Sequence, residues 1–233
     1  MNILRVGDLE VEVVKKDIKN IHLGVYPPIG RVRLSAPVYS NDEKIRLFIV
    51  SKIPWIRKNQ RKFKDKERLS QPQFISRESH YIGAKRYLLE VSVNELNKNQ
   101  IILGKNKIKL YLKEHYTLEK RQEIFESWLR KNLRSRIEPV LQKWENRMGL
   151  FCSEWKIKKM KTKWGSCNEE AKRLWFNLEL MKVDDNCLEY VIVHELAHLK
   201  HKHHNKYFFN TLSKFIPDWE NRKNILNQTL LVY

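Results

Sequence analysis

Residues 190–200 read Tyr190-Val191-Ile192-Val193-His194-Glu195-Leu196-Ala197-His198-Leu199-Lys200, and the rest of the chain is best read outward from this run. Histidines four apart on a helix differ by about 40° around the axis and one turn along it, so both imidazoles reach a single metal ion. Glu195, about 100° round from His194, projects beside such an ion, where a general base takes a proton from the water the metal activates. The apolar residues before and inside the motif describe a helix buried on most sides. Two histidines and a glutamate without partners there would cost on the order of several kcal/mol, and a metal removes that cost. Zinc at a catalytic site takes three protein ligands and leaves a fourth position open.

The third ligand has several candidates, because His201, His203 and His204 follow closely. On a continuing helix His201 lies about 10 Å along the axis from His194, too far for one ion. His203 and His204 point elsewhere on such a helix, so the chain must turn before either returns. His204 gives the spacing HExxHxxxxxH, with the ligand delivered by a turn, and is the favoured choice. Asp218 and Glu220, the acidic residues downstream, are its rivals.

Around this motif the chain reads as α+β. Residues 9–16, 20–27 and 30–37 are short alternating runs with turns between them, the pattern of an antiparallel meander. A helix follows, capped by Ser40 or Asn41 and carrying Ile45, Phe48, Ile49, Ile53 and Ile56, with Pro54 expected to kink or break it. Residues 80–113 read as three more strands, with turns at Asn97-Lys98-Asn99 and Gly104-Lys105-Asn106. From Thr117 to Met148 an apolar stripe (Ile124, Trp128, Leu129, Leu133, Ile137, Leu141, Trp144) marks a long helix with Pro139 inside it and Gly149 as its stop. Two strand-like runs, 153–164 and 172–181, are joined by a turn-rich loop, Gly165 to Glu170. Asn186 with Glu189 resembles a capping box opening the motif helix, and two helical pieces close the chain. No internal repeat is visible. The expected organisation is a β-rich region, 1–115, with one basic helix, followed by a second domain, 116–233.

Composition narrows the function. With 233 residues, 42% of them apolar, the chain can build a core, and disordered or collagenous readings are excluded. No apolar run is long enough for a membrane span, and the start lacks a secretory h-region, so the expected compartment is the cytoplasm. Three cysteines without CxxC spacing agree with a reducing compartment. The net charge of +19 is uneven: in residues 51–150, 24 basic residues stand against 11 acidic ones, whereas residues 151–233 carry only +4. Arg57, Lys58, Arg61, Lys62, Lys64, Lys66 and Arg68, interleaved with Trp55 and Phe63, make nucleic acid a candidate partner, against a solvated helix face.

The stretch from Trp164-Gly165-Ser166-Cys167 through the histidine motif to Phe209, with Ile216-Pro217-Asp218-Trp219 after it, resembles the bacterial YgjP-like metal-dependent hydrolases, relatives of the SprT and WLM zinc metallopeptidases. Ser35-Ala36-Pro37 and Trp55 are similar to that family's N-terminal region. The resemblance implies a zincin-like C-terminal domain, one zinc ion on His194, His198 and His204, Glu195 as catalytic acid/base, and a peptide or protein substrate. Lys163 departs from the Arg expected before Trp164. In a zincin the 172–181 run would border the cleft and pair with an extended peptide, making Asn177 a candidate substrate contact, with a buried sheet-holding role as the alternative. Cys167, Tyr207 and Trp219 are read first as packing residues, and Asp218 as a helix start or a partner of a ligating histidine. SprT relatives that act on DNA-bound proteins make a DNA-associated protease a further alternative, beside a nucleic-acid-binding protein with a structural metal.

Overall fold

Leu9, Val11 and Val13 alternate with charged or half-buried neighbours, and so do Val32, Leu34 and Ala36, so each run offers one apolar face to a helix. The computed structural model describes residues 2–26, 30–67, 72–93 and 98–228. In its first unit, which extends to Gln71, strands β1 (Asn2–Val6), β2 (Leu9–Lys16), β3 (His22–Tyr26) and β4 (Arg31–Pro37) form one sheet. The order is β1-β2-β4-β3, with β4 parallel to β2 and antiparallel to β3. The expected meander is therefore corrected: β4 inserts between β2 and β3, because its apolar face is fully buried and suits a central strand. The turn expected at Pro27-Pro28 lies outside the described residues.

Helix α1 (Asp42–Glu67) covers this sheet with Ile45, Ile49 and Ile56, and Asn41 Oδ1 accepts its first free N–H from Lys44 at 2.8 Å. Pro54 does not break it. That residue and Val50, whose carbonyl it frees, are both exposed, so water can satisfy the orphaned oxygen. Of the basic run, Arg57 is bound to Asp8 and Gln60, and Trp55 is exposed. The side chains of 62–67, and Arg68 itself, lie outside the described residues.

The second unit begins at Pro72, so the boundary expected at residue 115 falls inside it. Strands β5 (Ser79–Ile82), β6 (Lys85–Val93), β7 (Gln100–Leu103) and β8 (Lys107–Leu112) bury Ile82, Leu89, Ile108, Leu110 and Leu112 in the same core as the long helix α2 (Leu118–Met148). Their order, β5-β6-β8-β7, and their ladder senses reproduce those of the first sheet, and each sheet is followed by a long helix. Arg31-Val32-Arg33-Leu34 and Lys107-Ile108-Lys109-Leu110 occupy equivalent strands, and both first hairpins turn on a glycine of positive φ, Gly7 and Gly83. A ββββα repeat is thus present where none was visible in the sequence, because the pattern survives while the residues differ. Of the turn expected at residues 97–99, Asn97 lies outside the described residues.

Helix α2 begins and ends as expected, at the Thr117 cap and at Gly149 in the left-handed region (φ 67°). Pro139 sits on its exposed side without ending it. Several of the middle segment's cations are committed internally: Arg121 donates to the carbonyl of Phe74, Arg130 to that of Ile157, and Arg136 to those of Met181 and Val183. The chain continues through β9 (Glu154–Lys158), β10 (Gly165–Asn168), β11 (Arg173–Asn177), a 3-10 turn (Leu178–Lys182) and helices α3 (Asp185–His198), α4 (Lys206–Phe215) and α5 (Trp219–Gln228). The loop expected at Gly165-Ser166-Cys167-Asn168 is itself a strand, held antiparallel to β11, and the end of the 172–181 run coils instead of extending. Asp184, not Asn186, caps α3, accepting from the Cys187 N–H at 2.7 Å.

Glu189 is thereby free to tie three helices together. It accepts from Lys143 Nζ and Trp144 Nε1 on α2, each at 2.9 Å, and from Arg222 on α5 at 2.8 Å. Burial alone would raise its carboxyl; the three hydrogen bonds outweigh that and pull it down to about 2. Because the folded value is depressed, its stabilisation is complete above the unfolded value of about 4.3 and is lost as pH falls toward about 2. Glu189→Gln is expected to lower stability at neutral pH by about 1–3 kcal/mol. Melting curves of both proteins should converge across that acid window, and a gap independent of pH would contradict the assignment.

Candidate active site

Helix α3 ends at His198 because the next residues turn: the Leu199 and His201 N–H groups donate back to Leu196 and Ala197. Asn205 then starts α4 by accepting the Phe208 N–H at 3.0 Å. This tight reversal returns His204 to the helix it has just left. His204 Nε2 lies 3.1 Å from His198 Nε2 and 3.1 Å from His194 Nε2, and the donor atoms of all three residues fall within 4.8 Å of one another. The rings rest on Phe208, fully buried, with centroid separations of 5.0, 4.7 and 4.7 Å.

The donor set suits a transition-metal ion. Nitrogens bound at 2.0–2.1 Å in a tetrahedron stand about 3.3 Å apart, within a few tenths of an ångström of the spacings found. The carbonyl of His201 is 3.0 Å from His198 Nδ1, so that nitrogen carries the proton and Nε2 keeps its lone pair. Burial, and then the neighbouring His198, His204 and Lys223, push His194 down to about 3, and burial lowers His204 as well, so both are neutral donors at ordinary pH. Tyr190 Oη sits 3.4 Å from His194 Nδ1.

Glu195 is 5% exposed, and among the described residues nothing hydrogen-bonds its carboxylate. Burial pushes it up to about 8, against the opposing charge of Lys163. It lies directly over Gly165, where a Cβ would stand 2.5 Å from Oε1 and 2.6 Å from Cγ. Gly165, whose φ is not positive, is therefore small for the sake of that contact and not for its backbone conformation. Together these groups line a cleft of about 570 Å³ with Trp164, Ser166, Cys167 and Lys223.

Other expected positions fall elsewhere. Asn177 is fully buried and outside the cleft lining: it caps the 3-10 turn, accepts from Met160 N at 3.2 Å and donates to the carbonyls of Met160 and Lys163 at 2.8 and 2.7 Å. Its amide is consumed in shaping the 160–163 segment, which corrects its reading as a substrate contact. The strand bordering the cleft is β10, not β11: the sheet order β10-β11-β9 puts β11 in the middle, and β10 is the edge strand that lines the cleft, its outer edge unpaired among the described residues. Asp218 pairs with Arg222, and neither it nor Glu220 joins the histidines. His201 meets Thr211 at 3.0 Å, Tyr207 is exposed, and Trp219 packs as expected, stacked on Phe209. Gly165 and Phe208 were missed, since neither residue type signals a site without its neighbours in space.

The sequence profile described as YgjP-like, metallopeptidase domain, matches residues 19–229. The chain belongs to the YgjP-like metallopeptidase family. Among solved structures, it is similar to the metallopeptidase zymogen of Pyrococcus abyssi abylysin, with 18% identity and a TM-score of 0.37 over 39% of this chain and 90% of that one. It is also similar to the zymogen of Methanocaldococcus jannaschii jannalysin, with 26% identity and a TM-score of 0.36 over 40% of this chain and 94% of that one. None of the curated proteins compared matches it. Among the described residues no helix is long and apolar enough to cross a membrane.

Proposed function

We propose that this family member is a zincin-like, zinc-dependent peptide hydrolase in which His194, His198 and His204 hold the ion and Glu195 is the general base. The observation that carries the reading is the convergence of three imidazole nitrogens at 3.1 Å contacts beside a buried carboxylate that accepts no hydrogen bond among the described residues. Zinc, when bound, supplies Lewis acidity toward a carbonyl and a water molecule. The chain's own groups do the rest. A Glu195 oxygen takes the proton of the attacking water and then delivers it to the leaving amine. The free edge of β10 offers backbone N–H and C=O groups to an extended peptide, setting the scissile bond along the cleft. The test is digestion of an unfolded protein by the zinc-loaded enzyme, abolished by a chelator and restored by zinc. A zinc-loaded protein that leaves unfolded chains and short peptides intact would sink the reading.

Gly165 gives this reading a second handle. In Gly165→Ala the new methyl meets the Glu195 carboxylate, which must move. A misplacement of about 1 Å is expected to cost on the order of 10²-fold in kcat. Metal content should be unchanged. In a Glu195→Asp background, where the shorter acid leaves room, the same alanine should cost little more. Equal losses in both backgrounds would show that the close approach plays no part.

A further inference from the structure

The walls of the cleft carry lysines that form no ion pair among the described residues. Lys163 lies just before β10, Lys202 in the turn between α3 and α4, and Lys223 on α5, and all three line the cleft with their side chains exposed. Among the described residues none of them makes an ion pair, although fifteen ion pairs occur elsewhere. Lys223 lies 5.6 Å over the Trp219 ring, a contact that leaves its charge uncompensated. Among the described residues two acidic side chains line the same cleft, Glu195 buried in its floor and Glu169 just past the end of β10. Glu189 and Asp218 both hold Arg222, and Glu220, three residues before Lys223 on α5, makes no ion pair with it among the described residues. Unpaired charges of one sign around a concave floor concentrate the potential there and favour a ligand of opposite sign. The free edge of β10 matches an amide backbone, which a nucleic acid lacks, so the anion belongs on a peptide.

Resting on the peptidase reading above, we propose that the cleft selects extended peptides bearing a carboxylate close to the scissile bond, received by Lys163, Lys202 and Lys223. The carboxylate comes from Asp or Glu side chains or from the peptide's own C-terminus.

The test is fluorescence anisotropy with the zinc-loaded Glu195→Gln protein and labelled peptides of one length. They carry acidic, amide or basic residues near the centre, each with a free or an amidated C-terminus. Acidic peptides are expected to bind about three- to tenfold more tightly than neutral ones, the sum of a few solvent-exposed ion pairs, with the gap shrinking as salt rises. Lys202→Glu combined with Lys223→Glu should invert the order. A preference that follows the free C-terminus alone supports the same carboxylate chemistry and assigns it to the chain end. Equal binding of acidic and neutral peptides, an order unmoved by charge reversal, or displacement of the peptide by an oligonucleotide at lower concentration would overturn it. Cleavage by the wild-type enzyme is scored separately: acidic peptides bound but never cut would count against the peptidase reading alone, and peptides cut regardless of charge against the carboxylate preference alone.

Discussion

Glu195→Gln is expected to keep its zinc and to lose about 10²- to 10⁴-fold in peptide hydrolysis, the range that removal of a positioned general base commands. The substitution is well controlled. Glutamine has nearly the same shape, so the packing over Gly165 survives, and no internal hydrogen bond is broken because the carboxylate makes none among the described residues. With shape kept and no hydrogen bond lost, the melting temperature should stay close to that of the wild type. The three imidazoles stay where they are, and metal analysis should find near-stoichiometric zinc. A variant that keeps its zinc and retains more than about a tenth of wild-type turnover would remove Glu195 from the base role.

His204→Ala separates the metal from the fold. The side chain belongs to an exposed turn and meets the buried core only through its ring's contact with Phe208, so the protein should fold and melt close to the wild type. Loss of one of three neutral nitrogens leaves a two-point site, and affinity for zinc should fall by well over the roughly 100-fold that even supporting partners of a ligand command. Zinc should be lost on dialysis and hydrolysis with it. His203→Ala, altering the exposed neighbour that does not join the cluster, should change neither quantity. Full zinc retention in the His204 variant would move the third ligand elsewhere.

How much was legible depended on whether a signal was local. Helix α2 was readable from end to end, since Thr117, the apolar stripe and Gly149 act within a turn or two of themselves. The α3 motif was readable because the four-residue spacing of His194 and His198 is a property of the helix alone. For the third ligand the helix geometry required only that the chain turn, leaving His203, His204, Asp218 and Glu220 open; the HExxHxxxxxH spacing and the family resemblance favoured His204. Strand order was not legible, because β2 pairs with β4 across an intervening strand and no residue announces that partner. Gly165-Ser166-Cys167-Asn168 has loop composition and becomes a strand only because β11 lies beside it. Asn177 looked equally suited to substrate or scaffold until its bonds to Met160, Lys163 and Glu179 used up the amide.

The sequence by itself supplied the residues on which the proposed chemistry rests: two histidines and a glutamate at helical spacing, a third histidine past a turn, and a buried helix to carry them. Those choices are written in periodicity and in the cost of burying polar groups, which act over a few residues. Only the tertiary structure decided which strand edge faces the cleft, why residue 165 must be glycine, and where unpaired lysines gather. Each of those depends on segments distant in sequence meeting in space, and long-range contact leaves no local periodicity to read.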